Sequence, residues 1–327
     1  MYKKERRWGK LNFIVFDLEW NQCPHGKEKS VEGIPFEIIE IGAIKLNEKM
    51  EMIDQYAERI KPQIYKEIDR HVGLITHLTM KDLEKCRQFQ EVVSDFISWC
   101  GDSPVFCTWG PLDLIELQRN LEYYKLPAIA EKPFFYYDVQ KLFAIFFEEN
   151  KETKTLAYAV EYFHIKQEAE FHSAINDAKY TAQVFQKFDS KKIKKYQELD
   201  YFNYPKRVED EVYISFASYS KSISKAYPSR ETLMGTRKVR EVLCCICQKK
   251  AGKKVDWFSN NSKNYYGLFY CKEHGYLKGK LRIKRGREED YFSVKTIKII
   301  SKEEAKNLRQ HKADVLAKKM NGKEGKV

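Results

Sequence analysis

Three features of the sequence predict an α/β domain with a second, smaller domain behind it. Apolar runs at 12–20, 36–46 and 53–62 read as strands and precede a series of helical periodicities, the order of an α/β layer architecture. After residue 188 the chain becomes charged and rich in tyrosine. Four of the eight cysteines then gather between residues 244 and 271. At 327 residues the chain is long enough for two domains that each bury a core.

The elements follow in order. NFIVFDLEWNQ (12–22) is an apolar strand that carries two acids, and the Gly/Pro loop behind it (Pro24, Gly26, Gly33, Pro35) leads to FEIIEIGAIKL and IDQYAERIKP, a strand meander. Thr79 is placed to cap a short helix; Val92, Val93, Phe96 and Ile97 then recur at helical spacing until Gly101. PVFCTWG (104–110) is a short buried strand, and Pro111 opens a helix with Leu114, Leu117 and Leu121 on one face. FFYYDVQKLFAIFF and TLAYAVEYF continue the helical pattern. Ser173 caps a last helix over about 174–188, with Ala178, Ala182 and Phe185 inward. The expected layout is a first domain over 8–188, a charged connector over 189–237, a compact segment over 238–300 with four short strand-like runs, and a basic helical tail over 301–327.

The net charge of +12 is unevenly divided. Residues 189–327 hold 34 basic against 17 acidic side chains, a balance of +17, whereas residues 1–188 hold 25 against 30, a balance of −5. A polyanion suits the second half as a partner, although a solvated basic surface has the same composition. No apolar run approaches membrane-spanning length and none of signal-peptide type follows the charged N-terminal residues, so the chain is expected to be soluble and cytosolic.

Asp17 and Glu19 stand two residues apart in a strand, so both carboxylates leave the sheet on one face. Either they reach water at a strand end, or a hard divalent cation sits between them. Asp113 falls in the first helical turn after the strand carrying Trp109, and Asp177 in the first turn of its helix with His172 on the loop before it. Singly, a first-turn acid can simply favour the helix dipole.

Taken together, D-x-E on a first strand, an Asp about a hundred residues on and H-x-x-x-x-D opening a late helix resemble the DEDDh exonucleases, the DnaQ-like branch of the RNase H-like fold. The resemblance covers residues 8–188 and is nearest to the Eri-type and KapD-like 3′→5′ exoribonucleases, through FEIIEIGAIKL and LITHLTMKDLEKCRQFQEVVSDFISW. It implies an RNase H-like mixed sheet flanked by helices. It also implies that Asp17, Glu19, Asp113 and Asp177 hold two Mg²⁺ or Mn²⁺ ions and that His172 is the general base. Ser173, rather than Tyr, four residues before Asp177 indicates the histidine type. By the same resemblance Leu18 and Trp20 contact the terminal nucleotide, with core packing as the other use of Trp20. Relatives commonly carry Gly at the position of His77, a departure that bears on substrate detail.

The chemistry agrees with that assignment. Paired cations about 3.5–4 Å apart stabilise the charge a phosphodiester gathers as it breaks. A free imidazole, titrating near ~6.5, takes a proton at neutral pH.

Cys244-x-x-Cys247 and Cys271-x-x-His274 have the spacing of two zinc knuckles, and four such ligands make a closed, structural Zn²⁺ site. Buried free thiols or a redox pair are the alternatives, and Cys245 competes with Cys244 for the first place. Basic residues around the knuckles alternate with Tyr265, Tyr266, Phe269, Tyr270 and Tyr276, which suits phosphate contact and base stacking; half of these rings can equally be the core of a small domain. The sequence thus reads as a two-metal 3′→5′ exonuclease acting on nucleic acid, RNA before DNA, with a zinc-bearing domain that holds the strand. An inactive nuclease fold that only binds, and a DNA-directed enzyme of the same fold, are the competing readings.

Overall fold

A computed structural model describes residues 12–216, 218–259 and 261–324, with side chains to residue 318. The chain forms two compact units, one ending at Phe202 and the other beginning at Asn203.

In the first unit β1 (Asn12–Gln22), β2 (Phe36–Leu46) and β3 (Met52–Arg59) form an antiparallel meander. Then come α1 (Arg70–Thr76), α2 (Met80–Leu83), α3 (Phe89–Cys100), β4 (Pro104–Thr108) and α4 (Leu112–Tyr123). They are followed by β5 (Phe134–Asp138), α5 (Val139–Phe147), α6 (Leu156–Tyr162), α7 (Ala174–Phe185), α8 (Ser190–Ile193) and β6 (Glu198–Asp200). The sheet order is β3-β2-β1-β4-β5-β6, parallel from β1 through β4 to β5 and antiparallel elsewhere.

Both sheet faces are covered, which is why β2 reads as a nearly continuous apolar run. Residues of one parity on β1, Phe13 and Val15, pack with Leu142, Phe143, Ala159, Ala178 and Phe185 of α5, α6 and α7. The other parity, Ile14, Phe16 and Leu18, packs with Val92, Val93, Phe96, Leu114, Leu117 and Leu121 of α3 and α4. Asp17 and Glu19 continue the Phe13–Val15 parity and therefore face the α7 side. Gly42 on β2 lets α7 come that close: a Cβ there would lie 2.1 Å from the Ala174 carbonyl carbon and the Ile175 nitrogen.

The second unit holds β7 (Val212–Ser215), β8 (Tyr219–Ile223), α9 (Arg230–Gly235), α10 (Arg237–Arg240), β9 (Gly252–Phe258), β10 (Asn264–Cys271), β11 (Gly275–Arg285), β12 (Tyr291–Ile299) and α11 (Lys302–Glu324). Its sheet is antiparallel, in the order β7-β8-β12-β11-β10-β9. Leu281 and Ile283 of β11 pack with Leu233 and Val239 of α9 and α10. On the opposite face Leu268 and Val255 pack with Ala305 and Leu308 of α11.

Several expectations change. FFYYD is not helical but forms β5, because it pairs with β4 on one side and β6 on the other. The charged stretch 189–237 is no bare connector: β6 completes the first sheet and β7 and β8 extend the second, so the border falls at 202/203. Ile97 points outward, 37% exposed, although it continues the apolar spacing of α3.

Gly42→Ala should therefore cost about 1–3 kcal/mol or more, since the clash is with backbone that cannot swing away. Gly235→Ala, whose added Cβ meets nothing within 4 Å, should be near neutral. Chemical unfolding of both variants checks the contrast.

Candidate active site and metal centre

Within β1, Asp17 pairs with Gly42 and Glu19 with Glu40 across the ladder to β2. Asp113 sits in the first turn of α4, 5% exposed, and its Oδ1 accepts the Leu18 backbone N–H at 3.2 Å. Asp177 sits in the first turn of α7, 8% exposed; its Oδ2 accepts the His172 backbone N–H at 3.1 Å, while its Oδ1 is buried without a hydrogen-bond partner. His172 adopts a left-handed backbone with φ of 65°, a region histidine enters more readily than most residues, and its ring is exposed. Glu19, His172 and Asp177 each bring a ligand atom within 4.8 Å of the others.

This closeness raises the carboxyl pKa values. Burial lifts Asp17 well above the usual aspartate range, and Asp113, Asp177, Glu19 and Glu40 add to the effect. Burial, then Asp177, Glu40 and Asp113, pushes Glu19 up to about 8. Asp113 reaches about 7 through burial, against the pull of the Leu18 N–H. Asp177 reaches about 6 through burial, against the pull of the His172 N–H and imidazole. Oxygen donors crowded in this way, one of them buried and unpartnered, fit hard divalent cations.

Glu40 was not singled out from the sequence, yet it organises the site. Its Oε1 accepts the Ser173 hydroxyl at 3.0 Å and the Ala174 N–H at 3.2 Å, and Arg59 lies 3.7 Å from its other oxygen. Ser173 is thus the N-cap residue of α7 by position, but Glu40 supplies the capping oxygen. The available signal was an acid inside a fully buried strand, the same signal that marks Asp17. Leu18 differs from expectation: its side chain is 3% exposed in the core, leaving only its backbone near the acids. Trp20 is half-buried against Phe36, with ring centroids 5.8 Å apart. His77 ends α1 in the left-handed conformation, φ 58°, where Gly would be unstrained.

In the second unit Cys244, Cys247, Cys271 and His274 have ligand atoms within 4.8 Å of one another. Cys244 Sγ to His274 Nδ1 is 3.6 Å, Cys247 Sγ to Cys271 Sγ 3.6 Å and Cys271 Sγ to His274 Nδ1 3.7 Å. A tetrahedron with Zn–S of ~2.3 Å has edges of about 3.5–3.8 Å, so the cluster fits zinc. Burial pushes the Cys271 thiol up, but hydrogen bonds from His274, the Glu273 backbone and Cys247 together bring the group down to about 6, toward the thiolate that zinc takes. Cys245 stays outside the cluster. Of the aromatic residues nearby, Phe269 is core beside Cys271, and Tyr265 packs toward Leu281 and Ile283. Tyr266, Tyr270 and Tyr276 are half-buried.

The raised carboxyl values carry a sign. Between about pH 4 and pH 8 the unfolded chain has released protons that the folded, metal-free site still holds, so stability falls as pH rises through that window. Denaturant unfolding of dialysed, chelator-free protein at about pH 5, 6.5 and 8 should show the fall. Asp17→Asn should flatten it, and Mg²⁺ or Mn²⁺ should reverse it for the parent only.

The exonuclease family RNase_T matches residues 14–185. The chain is 30% identical over 185 residues to the DNA polymerase III PolC-type of Thermotoga maritima, and 30% identical over 177 residues to that of Thermotoga petrophila. These stretches are 55% and 54% of this chain but span only 12% of the length of either relative. Among solved structures, the nuclease domain of 3'hExo, a DEDDh family member bound to rAMP, is 17% identical with a TM-score of 0.47, covering 60% of this chain and 98% of that one. Exonuclease I is 11% identical with a TM-score of 0.44, covering 65% and 55%. With its family match spanning both acidic helix starts and the D-x-E strand, the chain belongs to the RNase_T exonuclease family.

Proposed function

We propose that this exonuclease removes nucleotides in the 3′→5′ direction from single-stranded or 3′-overhang nucleic acid, RNA in preference to DNA. The observation that carries the proposal is the convergence of Asp17, Glu19, Asp113 and Asp177 from β1, α4 and α7, with Asp177 Oδ1 left unpartnered.

These four residues would hold two Mg²⁺ or Mn²⁺ ions, which when bound stabilise the charge on the attacking and leaving oxygens. His172 serves as general base: its exposed ring stands beside Glu19 and Asp177 and accepts the proton of the attacking water at a ring nitrogen. Its backbone bond to Asp177 fixes the loop that presents it. The half-buried Trp20 contacts the terminal nucleotide in this reading. Cys244, Cys247, Cys271 and His274 hold a structural Zn²⁺, and the basic second unit retains the strand by phosphate contacts. Among the described residues no helix is long and apolar enough to cross a membrane; a cytosolic setting suits a chain whose eight cysteines form no disulfide.

The preference for RNA rests on the Eri-type and KapD-like resemblance and on the basic, tyrosine-rich second unit. A DNA substrate is the second reading, favoured by the DNA polymerase names of both Thermotoga relatives.

End-labelled single-stranded RNA, single-stranded DNA and a duplex with a 3′ overhang, each with Mg²⁺ or Mn²⁺, decide between them. Asp113→Asn should lower turnover by about 10²-fold or more while the protein stays folded. His172→Ala should lower it by about 10²–10⁴ with metal affinity largely kept. Substantial hydrolysis by Asp113→Asn, or an unchanged single-turnover rate for His172→Ala, would remove that residue from the mechanism.

A further inference from the structure

Beside the zinc knuckle a cavity of about 450 Å³ opens between β9, the β10–β11 turn and the start of α11. Lys254, Tyr270, Tyr276, Ile300 and Lys302 line it next to His274, and among the described residues no lining residue is acidic. Its two tyrosine rings stand 5.1 Å apart at 69°. Lys254 lies 5.6 Å over the Tyr270 ring, and the Arg309 guanidinium 5.4 Å over the Tyr276 ring. Tyr276 also begins a row: Lys278, Lys280, Arg282 and Lys284 follow it at every second position of β11 and so share its face. The Tyr266 ring lies beneath Lys278 at 5.7 Å and Lys280 at 5.8 Å. Lys298 of β12 stands directly opposite Lys278, a like-charge pairing that a sheet tolerates poorly by itself, and Glu304 offsets part of that charge.

We infer that this cavity is a nucleotide subsite for a single strand, with a base against Tyr270 and Tyr276, flanking phosphates on Lys254 and Lys302, and the strand continuing along the β11 row. The inference rests on the reading that the second unit holds nucleic acid and specifies where. Aromatic faces accept any base, and the cations around them contact the backbone rather than the sequence, so the subsite takes single strands without strong sequence preference. A paired base is stacked within its helix and does not enter, so duplex competes weakly.

The test uses the full chain carrying Asp17→Asn, so that the probe is not cut, and no chelator, so that the zinc cluster is kept. Anisotropy of a labelled single strand of about 30 nucleotides is read at several salt concentrations. Lys254→Gln/Lys302→Gln should lower affinity about tenfold or more and reduce the salt slope by about 1.4, or 0.7 for each of two phosphate contacts. Lys225→Gln/Lys263→Gln, an equal loss of charge outside the cavity, should change affinity less than twofold, and Lys254→Arg/Lys302→Arg should retain binding. Zinc content and the unfolding midpoint confirm that each variant is folded. Equal losses from both glutamine pairs would reduce the site to diffuse charge and overturn the inference. Unchanged binding by the cavity variant, with the parent binding well, would overturn the cavity and leave the second unit's role standing. A parent that fails to bind would remove both.

Discussion

Mutual repulsion among carboxylates held in one apolar-walled volume is the constraint around which the first unit is built. Asp17 and Glu19 are fixed by strand alternation, Asp113 by the Leu18 N–H and Asp177 by the His172 N–H, so none of them can relax away without breaking backbone order. Burial raises every one of them, and the neighbouring charges raise Asp17 and Glu19 further. A free site of this kind is destabilising in neutral solution, and cations that lower its energy bind with corresponding force.

The scaffold supplies what opposes that repulsion. Apolar residues of both β1 parities are clamped between helices, and Gly42 leaves room for the start of α7 where a Cβ would clash. Glu40 then ties the start of α7 to β2 through Ser173 and Ala174. Glu37, on the same strand, shows what an acid looks like when its task is structural: it accepts the backbone N–H groups of Gln63, Ile64 and Tyr65. Asp177 differs in having one oxygen bonded to backbone and the other buried without a partner.

Much of the arrangement was legible because it follows from local rules. Two acids at i and i+2 of a strand must share a face, and Cys-x-x-Cys with Cys-x-x-His places ligands in pairs before any tertiary structure is known. The less legible parts depend on partners distant in sequence. FFYYD becomes a strand because β4 and β6 are there to bond it, and an aromatic run has no period that separates strand from buried helix. The strands within 198–223 are masked by their charge and short length. The capping role of Glu40 is not legible locally, because Ser173 and Ala174 lie more than 130 positions away. The resemblance puts Leu18 at the terminal nucleotide, whereas strand alternation turns its side chain away from Glu19 and into the core.

If this repulsion governs the site, the carboxylates retain protons near neutrality until cations displace them. Calorimetric titration of Mn²⁺ into the dialysed protein, repeated in buffers of different ionisation enthalpy, counts the protons released on binding. With Asp177, Asp113 and Glu19 raised to about 6, 7 and 8, binding at about pH 6.5 should release at least about one proton, and the release should shrink as pH rises through that range. Binding without proton release at the lower pH would mean that the carboxylates are already ionised and that their repulsion does not govern the site.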